Sequence, residues 1–262
     1  MLASSRVTGL AGAYAGIAEG VDGDSVNAAS PAVRVPWSVD WFDYDLSLGL
    51  TFPSSLRKTD FDNNGTTGFS YSDFLFIQAG ANFQFGAWAF GLSFDTQTYH
   101  LKGIPLGPDL PQYLHANLMR SHALLARSFF QGQLVVGLGA RIVSLDFTAS
   151  AEEDESGESK DLFSTSGAGA DCGVLWAPHA IPIRAGLSVR TPVRSSAQAG
   201  GVISPQSDGD TIIGTMYLPN SVELPWEVEA GFSLQLGPRP FNVPWINPRT
   251  ELEPIVSQIS RD

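Results

Sequence analysis

The chain alternates at two scales, and the pair of alternations restricts the folds open to it. From Phe42 to Phe52 the even positions are Phe42, Tyr44, Leu46, Leu48, Leu50 and Phe52, and the odd ones are Asp43, Asp45, Ser47, Gly49 and Thr51. Successive strand residues face opposite sides, so this segment has one apolar face and one polar or small face. The pattern returns at 73–85, 88–101, 113–130, 133–149, 162–177, 181–191 and 222–236, weakest in 113–130, where it slips near Arg120 to His122. The connections alternate in their turn. Those at 53–72, 102–112, 150–161 and 192–221 are long, and those at 86–87, 131–132 and 178–180 are short. Long strands with tight turns on one rim and longer loops on the other predict an all-β fold, an antiparallel transmembrane β-barrel. A soluble β-sandwich also alternates, but its strands are typically about 5–6 residues long. Tight turns belong on the periplasmic rim, so the first strand rises outward and the N-terminus starts in the periplasm or the lumen.

Residues 1–36 differ from the rest of the chain. They are rich in Gly and Ala, bounded by Pro31 and Pro36, and carry no period-2 pattern, which predicts a short helical or coil plug. Val7 to Ala18 is uncharged after Arg6 but poor in leucine, and no clear cleavage site closes it, so it reads as mature chain or as a chain whose leader is lost. Residues 37–237 hold the strands. Residues 238–262 begin with Pro238, Pro240, Pro244 and Pro248, an extended segment, and a helix could start at Thr250. An eight-stranded barrel is just wide enough for its own side chains. The plug therefore lies outside a closed barrel, or the eight strands are an incomplete wall of a wider one. Glycine inside a strand often marks close approach of another backbone. Gly80, Gly91, Gly137, Gly139, Gly167, Gly169 and Gly173 all fall on the small face, and they are the candidate lumen-facing positions beside the plug.

Composition narrows the function. No run of about 18 apolar residues exists, which removes a spanning helix, and a mean hydropathy of +0.02 suits strands that are apolar on one face only. A net charge of −12 with no basic stripe argues against nucleic acid. The acidic run Glu152–Glu155 reads as a solvated loop. The single cysteine, Cys172, allows no disulfide framework and no cysteine-based zinc site. Asp60-Phe61-Asp62-Asn63-Asn64-Gly65 begins like a calcium loop, but Tyr71 stands where the twelfth-position Glu belongs, so an Asn-Gly turn is preferred. Ser55-Leu56-Arg57-Lys58 lacks the companion motifs of Ser-x-x-Lys hydrolases. Gly167-Ala168-Gly169 lies inside a strand and has the wrong spacing for a nucleotide loop. His100, His115, His122 and His179 have no metal-ligand spacing. Ser121 and His122 are adjacent and point to opposite faces, so they cannot pair, and His122 could meet a serine only across strands. No catalytic residue, metal ligand or cofactor is expected.

Three stretches carry a family resemblance. Arg6-Val7-Thr8-Gly9-Leu10-Ala11-Gly12-Ala13-Tyr14-Ala15-Gly16-Ile17-Ala18, then Asp24-Ser25-Val26-Asn27-Ala28-Ala29-Ser30-Pro31-Ala32, and then Leu218-Pro219-Asn220-Ser221 running on through Val222 to Gly231 together resemble the FadL-type outer-membrane transporters of long-chain fatty acids and other hydrophobic compounds. The resemblance implies a barrel of about fourteen strands. It also implies a hatch at Asn27, Ala28, Ala29 and Pro31, although Ala28 stands where the family has a proline. The expected function is passive passage of a hydrophobic small molecule through the bacterial outer membrane, with lipid around the wall. A structural or secretion-assembly barrel that docks a protein partner through its loops is the alternative, and a barrel-wall lipid hydrolase using His122 is the third.

Overall fold

The computed structural model describes residues 4–34, 38, 40–51, 74–102, 113–150, 160–196, 198–199, 211–213, 216–218, 221–237, 241–246 and 249. The Asp60–Gly65 and Ser55–Lys58 motifs, the acidic loop 151–159 and the helix considered from Thr250 lie outside them.

The strands are β1 Phe42–Thr51, β2 Phe74–Phe85, β3 Trp88–Lys102, β4 Tyr113–Phe129, β5 Leu134–Ser150, β6 Lys160–Trp176, β7 Ile183–Arg190, β8 Val193–Ser196, β9 Gln198–Ala199, β10 Thr211–Ile213, β11 Met216–Leu218, β12 Ser221–Leu224 and β13 Glu227–Leu234. The fold is all-β with almost no helix. The main sheet is an antiparallel meander in the order β1-β2-β3-β4-β5-β6-β7-β13, with β9 added to β6. Among the described residues this sheet is open, because β1 pairs only with β2, and β13 only with β7.

One face of the sheet is bare and apolar. Leu46 is 64% exposed, Leu48 75%, Val228 69% and Phe232 68%. The other face is covered by residues 4–34. Here α1 (Ser5–Gly9) is capped by Ser4, whose hydroxyl accepts from the Val7 N–H at 3.3 Å. Two 3-10 turns come next, Val21–Gly23 and Ser30–Ala32, the second opened by Pro31. The segment has an apolar cluster of its own, Val7, Tyr14, Ala15, Ala18 and Val26. Burial pushes the Tyr14 hydroxyl up to about 12. A second cluster joins segment to sheet: Ala29, Ala32 and Val33 pack on Ala89, Ala126, Val135 and Leu175. That explains the irregular pattern of 113–130. The covered face of β4 carries Leu124 and Ala126 as well as Arg120 and His122, so both of its faces are partly apolar.

The expected eighth strand, 222–236, is two strands. Leu224 pairs with Val193 in β12–β8, and Glu227 pairs with Arg190 in β13–β7. The register is the same on both sides of the break, so Pro192 and Pro225 stand opposite one another. Neither has an N–H to give, and the ladder fails at both strands together. Beyond the break β8 and β12 pair as a separate two-stranded sheet, and Val193 comes to rest over Gly167 and Gly169 of β6. The connection 192–221, expected as a long loop, contains β8 to β11.

The sheet is strongly curled. Gly16 lies on the backbone of Gly231 in β13, and the Val21 N–H donates to Asp45 Oδ2 of β1 at 2.8 Å. Five residues span at most about 18 Å, so one short piece of the N-terminal segment reaches from the last strand to the first.

Candidate functional site

The site is the docking surface between residues 4–34 and the covered face. A β-carbon added to Gly137 would strike the Ala28 carbonyl, and one on Gly173 would strike Asn27 and Ala28. Gly80 lies under Val21, and Gly91 under Pro31 and Asp24. Four of the seven glycines singled out from sequence therefore lie directly beneath the segment. The other three share the face but not the contact. Gly139 sits against Leu124 of the neighbouring strand, and Gly167 and Gly169 sit beneath Val193. The alternation assigns a face correctly, but it carries no information about where along that face the segment lies. The closest approaches of all include Gly186 and Gly231, which face each other across β7 and β13 and touch the backbone of Ala15 and Gly16. Their signal was present as two more glycines on the small face.

The residues expected as a hatch meet the sheet together. Asn27 donates to the carbonyls of Ala15 and Val174, both at 3.2 Å, and its Oδ1 accepts from the Ala29 N–H at 3.0 Å. Gln84 of β2 donates to the Pro31 carbonyl at 2.7 Å. Arg190 of β7 donates to the Ser25 and Val26 carbonyls, each at 2.7 Å. Ala28 and Ala29 are buried, and their small size lets the backbone reach the glycine floor.

Beside the segment runs a row of charges of alternating sign. Asp95 pairs with Arg120 at 2.7 Å, His122 with Asp171 at 2.8 Å, and Arg141 lies 3.5 Å from Asp171 and 3.7 Å from Glu227. Arg190 closes the row on Glu227 at 2.8 Å. Each side chain was legible as a polar-face position, but the pairs join strands far apart in sequence and need the register to be seen. Arg120, Glu227 and Arg190 also line an open hollow of about 450 Å³ beside Ser25, Val26 and Trp226.

Among the described residues His122 bonds to a carboxylate and to no hydroxyl. Ser121 and His122 do point to opposite faces. Ser93 of β3 stands across from His122 on the same face, and Asp171 holds the ring from the other side. The Ser93 hydroxyl nonetheless makes no hydrogen bond to the ring. The backbone N–H groups around it belong to a continuous ladder. Among the described residues no group of three or more His, Cys, Asp or Glu side chains converges on a metal position. Cys172 is exposed on the bare apolar face.

At the tight-turn rim residues 241–246 fold back over the sheet. Asn242 donates to the carbonyls of Pro178, Ile181 and Ile183, and the backbone N–H of Trp245 donates to the Gln131 carbonyl at 3.1 Å. The Arg34 guanidinium lies 4.6 Å over the Trp245 ring, which ties this strap to the end of the N-terminal segment. No family model, curated protein or solved structure matches the chain, so the reading of this site rests on its own geometry and on the sequence pattern.

Proposed function

We propose that the chain forms the plugged wall of an outer-membrane β-barrel, through which hydrophobic small molecules such as long-chain fatty acids pass without chemistry. The observation that carries this reading is the contrast between the two faces of one sheet. The bare face presents Phe42, Tyr44, Leu46, Leu48 and Leu50 on β1 and Val228, Phe232 and Leu234 on β13. Proteins in water rarely expose continuous apolar surface beyond a few hundred Å², whereas a barrel wall in lipid does so by construction. The opposite face holds nearly all the buried polar and charged groups, and it is there that residues 4–34 dock. In this reading the wall meets lipid, the segment is the plug, and a molecule passes when the segment shifts. Deletion of residues 1–33 from the intact protein is expected to raise the permeability of cells or proteoliposomes to small hydrophobic probes. Unchanged flux would sink the gating role.

A further inference from the structure

Among the contacts between segment and sheet, one pair is incomplete in a way that defines what is missing. Asn82 of β2 is fully buried and donates its amide N–H to Asp24 Oδ1 at 3.1 Å. Asp24 is 2% exposed. The two remaining oxygens, Asp24 Oδ2 and Asn82 Oδ1, are both buried and have no donor among the described residues. They open onto the same place: a methyl group at Gly91 would lie 3.3 Å from the first and 2.5 Å from the second. Two buried acceptors side by side are unfavourable unless a hydrogen stands between them.

Among the described residues the surroundings offer no counter-charge. The charged groups bearing on Asp24 are Asp45 on β1 and Asp22 on its own segment, both negative. β2 has no titratable side chain. Asp95, the acidic residue on the covered face of β3, is already held by Arg120. Ser30 is the other side chain within reach of the Asp24 carboxyl and holds it down slightly, but its one hydroxyl hydrogen goes to the Gly20 carbonyl. We propose that Asp24 and Asn82 form a proton-dependent latch, in which a neutral Asp24 carboxyl exchanges two hydrogen bonds with the Asn82 amide and its ionisation releases residues 20–32 from the sheet. In the neutral state Oδ1 accepts from the amide N–H and the Oδ2 hydroxyl donates to the amide oxygen, closing a ring in which both carboxyl oxygens and the amide oxygen are paired. Ionisation removes that one donor and leaves a bare carboxylate in an apolar, like-charged pocket.

Burial places the Asp24 carboxyl well above the usual carboxylate range. Docking is therefore fully supported below the ordinary carboxylate value, and that support is lost as pH rises through the raised one. This inference needs only that the segment docks as described, and not that anything crosses the wall.

Hydrogen exchange of the full chain, folded in lipid or detergent, tests it. In the docked segment the Asn27 and Ser30 amides donate to the Gly23 and Asn27 carbonyls, both at 2.9 Å, and they report its opening. Between the ordinary and the raised carboxyl values, their protection is expected to fall about tenfold per pH unit relative to Asp24→Asn. The asparagine can donate to Asn82 at any pH, so the variant keeps its protection. The same pH dependence in both proteins overturns the latch. Infrared difference spectra give a second reading: at a pH where exposed carboxylates are already ionised, the carbonyl band of a neutral carboxylic acid is expected in the native protein and not in Asp24→Asn. If the variant does not fold, aspartate-selective ¹³C labelling of the native protein reads the same band, and its absence overturns the proposal.

Discussion

At single positions, size and pairing decide whether the segment can dock. Gly173→Val would drive two methyl groups into Asn27 and Ala28, against backbone that has nowhere to move. A destabilisation of about 1–3 kcal/mol is expected from overpacking, with residues 4–34 becoming sensitive to protease while the strands persist. Gly9→Ala, which meets nothing within 4 Å, is the control and should change stability by less than about 0.5 kcal/mol. Arg190 is a costly contact to lose. It is buried, holds two carbonyls of the segment and neutralises Glu227. Arg190→Ala should therefore destabilise by about 3–5 kcal/mol. Adding Glu227→Gln should recover part of that loss, and chemical denaturation of the two variants measures the difference.

Among the elements, β1 distinguishes a wall in lipid from a sheet in water. Leu48 is central in the strand and 75% exposed on the bare face. Leu48→Arg should cost about 2–4 kcal/mol when the protein is refolded into bilayers. Equal stability of Leu48→Arg and native protein in bilayers would remove lipid from the bare face. The turn after β4 makes a separate prediction. Phe130 and Gln131 have φ of 53° and 60°, a region that bulky residues rarely occupy. Phe130 is also exposed, so Phe130→Gly should stabilise by about 1 kcal/mol, seen as a higher thermal midpoint. The strands and their faces could be read from the sequence because alternation is a local property. The split of 222–236 was half legible. Pro225 and Pro192 are visible as ladder breakers, but that they stand opposite one another is a matter of register. The pairs Asp24–Asn82, His122–Asp171 and Arg190–Glu227 could not be read at all, because each joins elements whose adjacency only the folded sheet creates.

For the whole molecule, topology and assembly both stem from the curled meander. The ends of β5 and β6 at Ser150 and Lys160 lie at the rim opposite Gly86, Gln131 and Ile181. Placed in an outer membrane with tight turns inward, the 151–159 connection faces the outside. Protease added to intact cells should then cut there, whereas cleavage only after the membrane is opened would reverse the orientation. The docking of residues 4–34 also carries a consequence in time. The segment leads the described chain, yet Asn27 bonds to Val174, 147 residues away, and Arg190 to Ser25, 165 residues away. Its resting place does not exist until β1, β2, β6, β7 and β13 have come together. Local hairpins between neighbouring strands close first, because short loops lose little entropy. A part of the chain made before every strand it rests on is thus among the last to find its seat, and until then its apolar residues need shelter from water and from other chains.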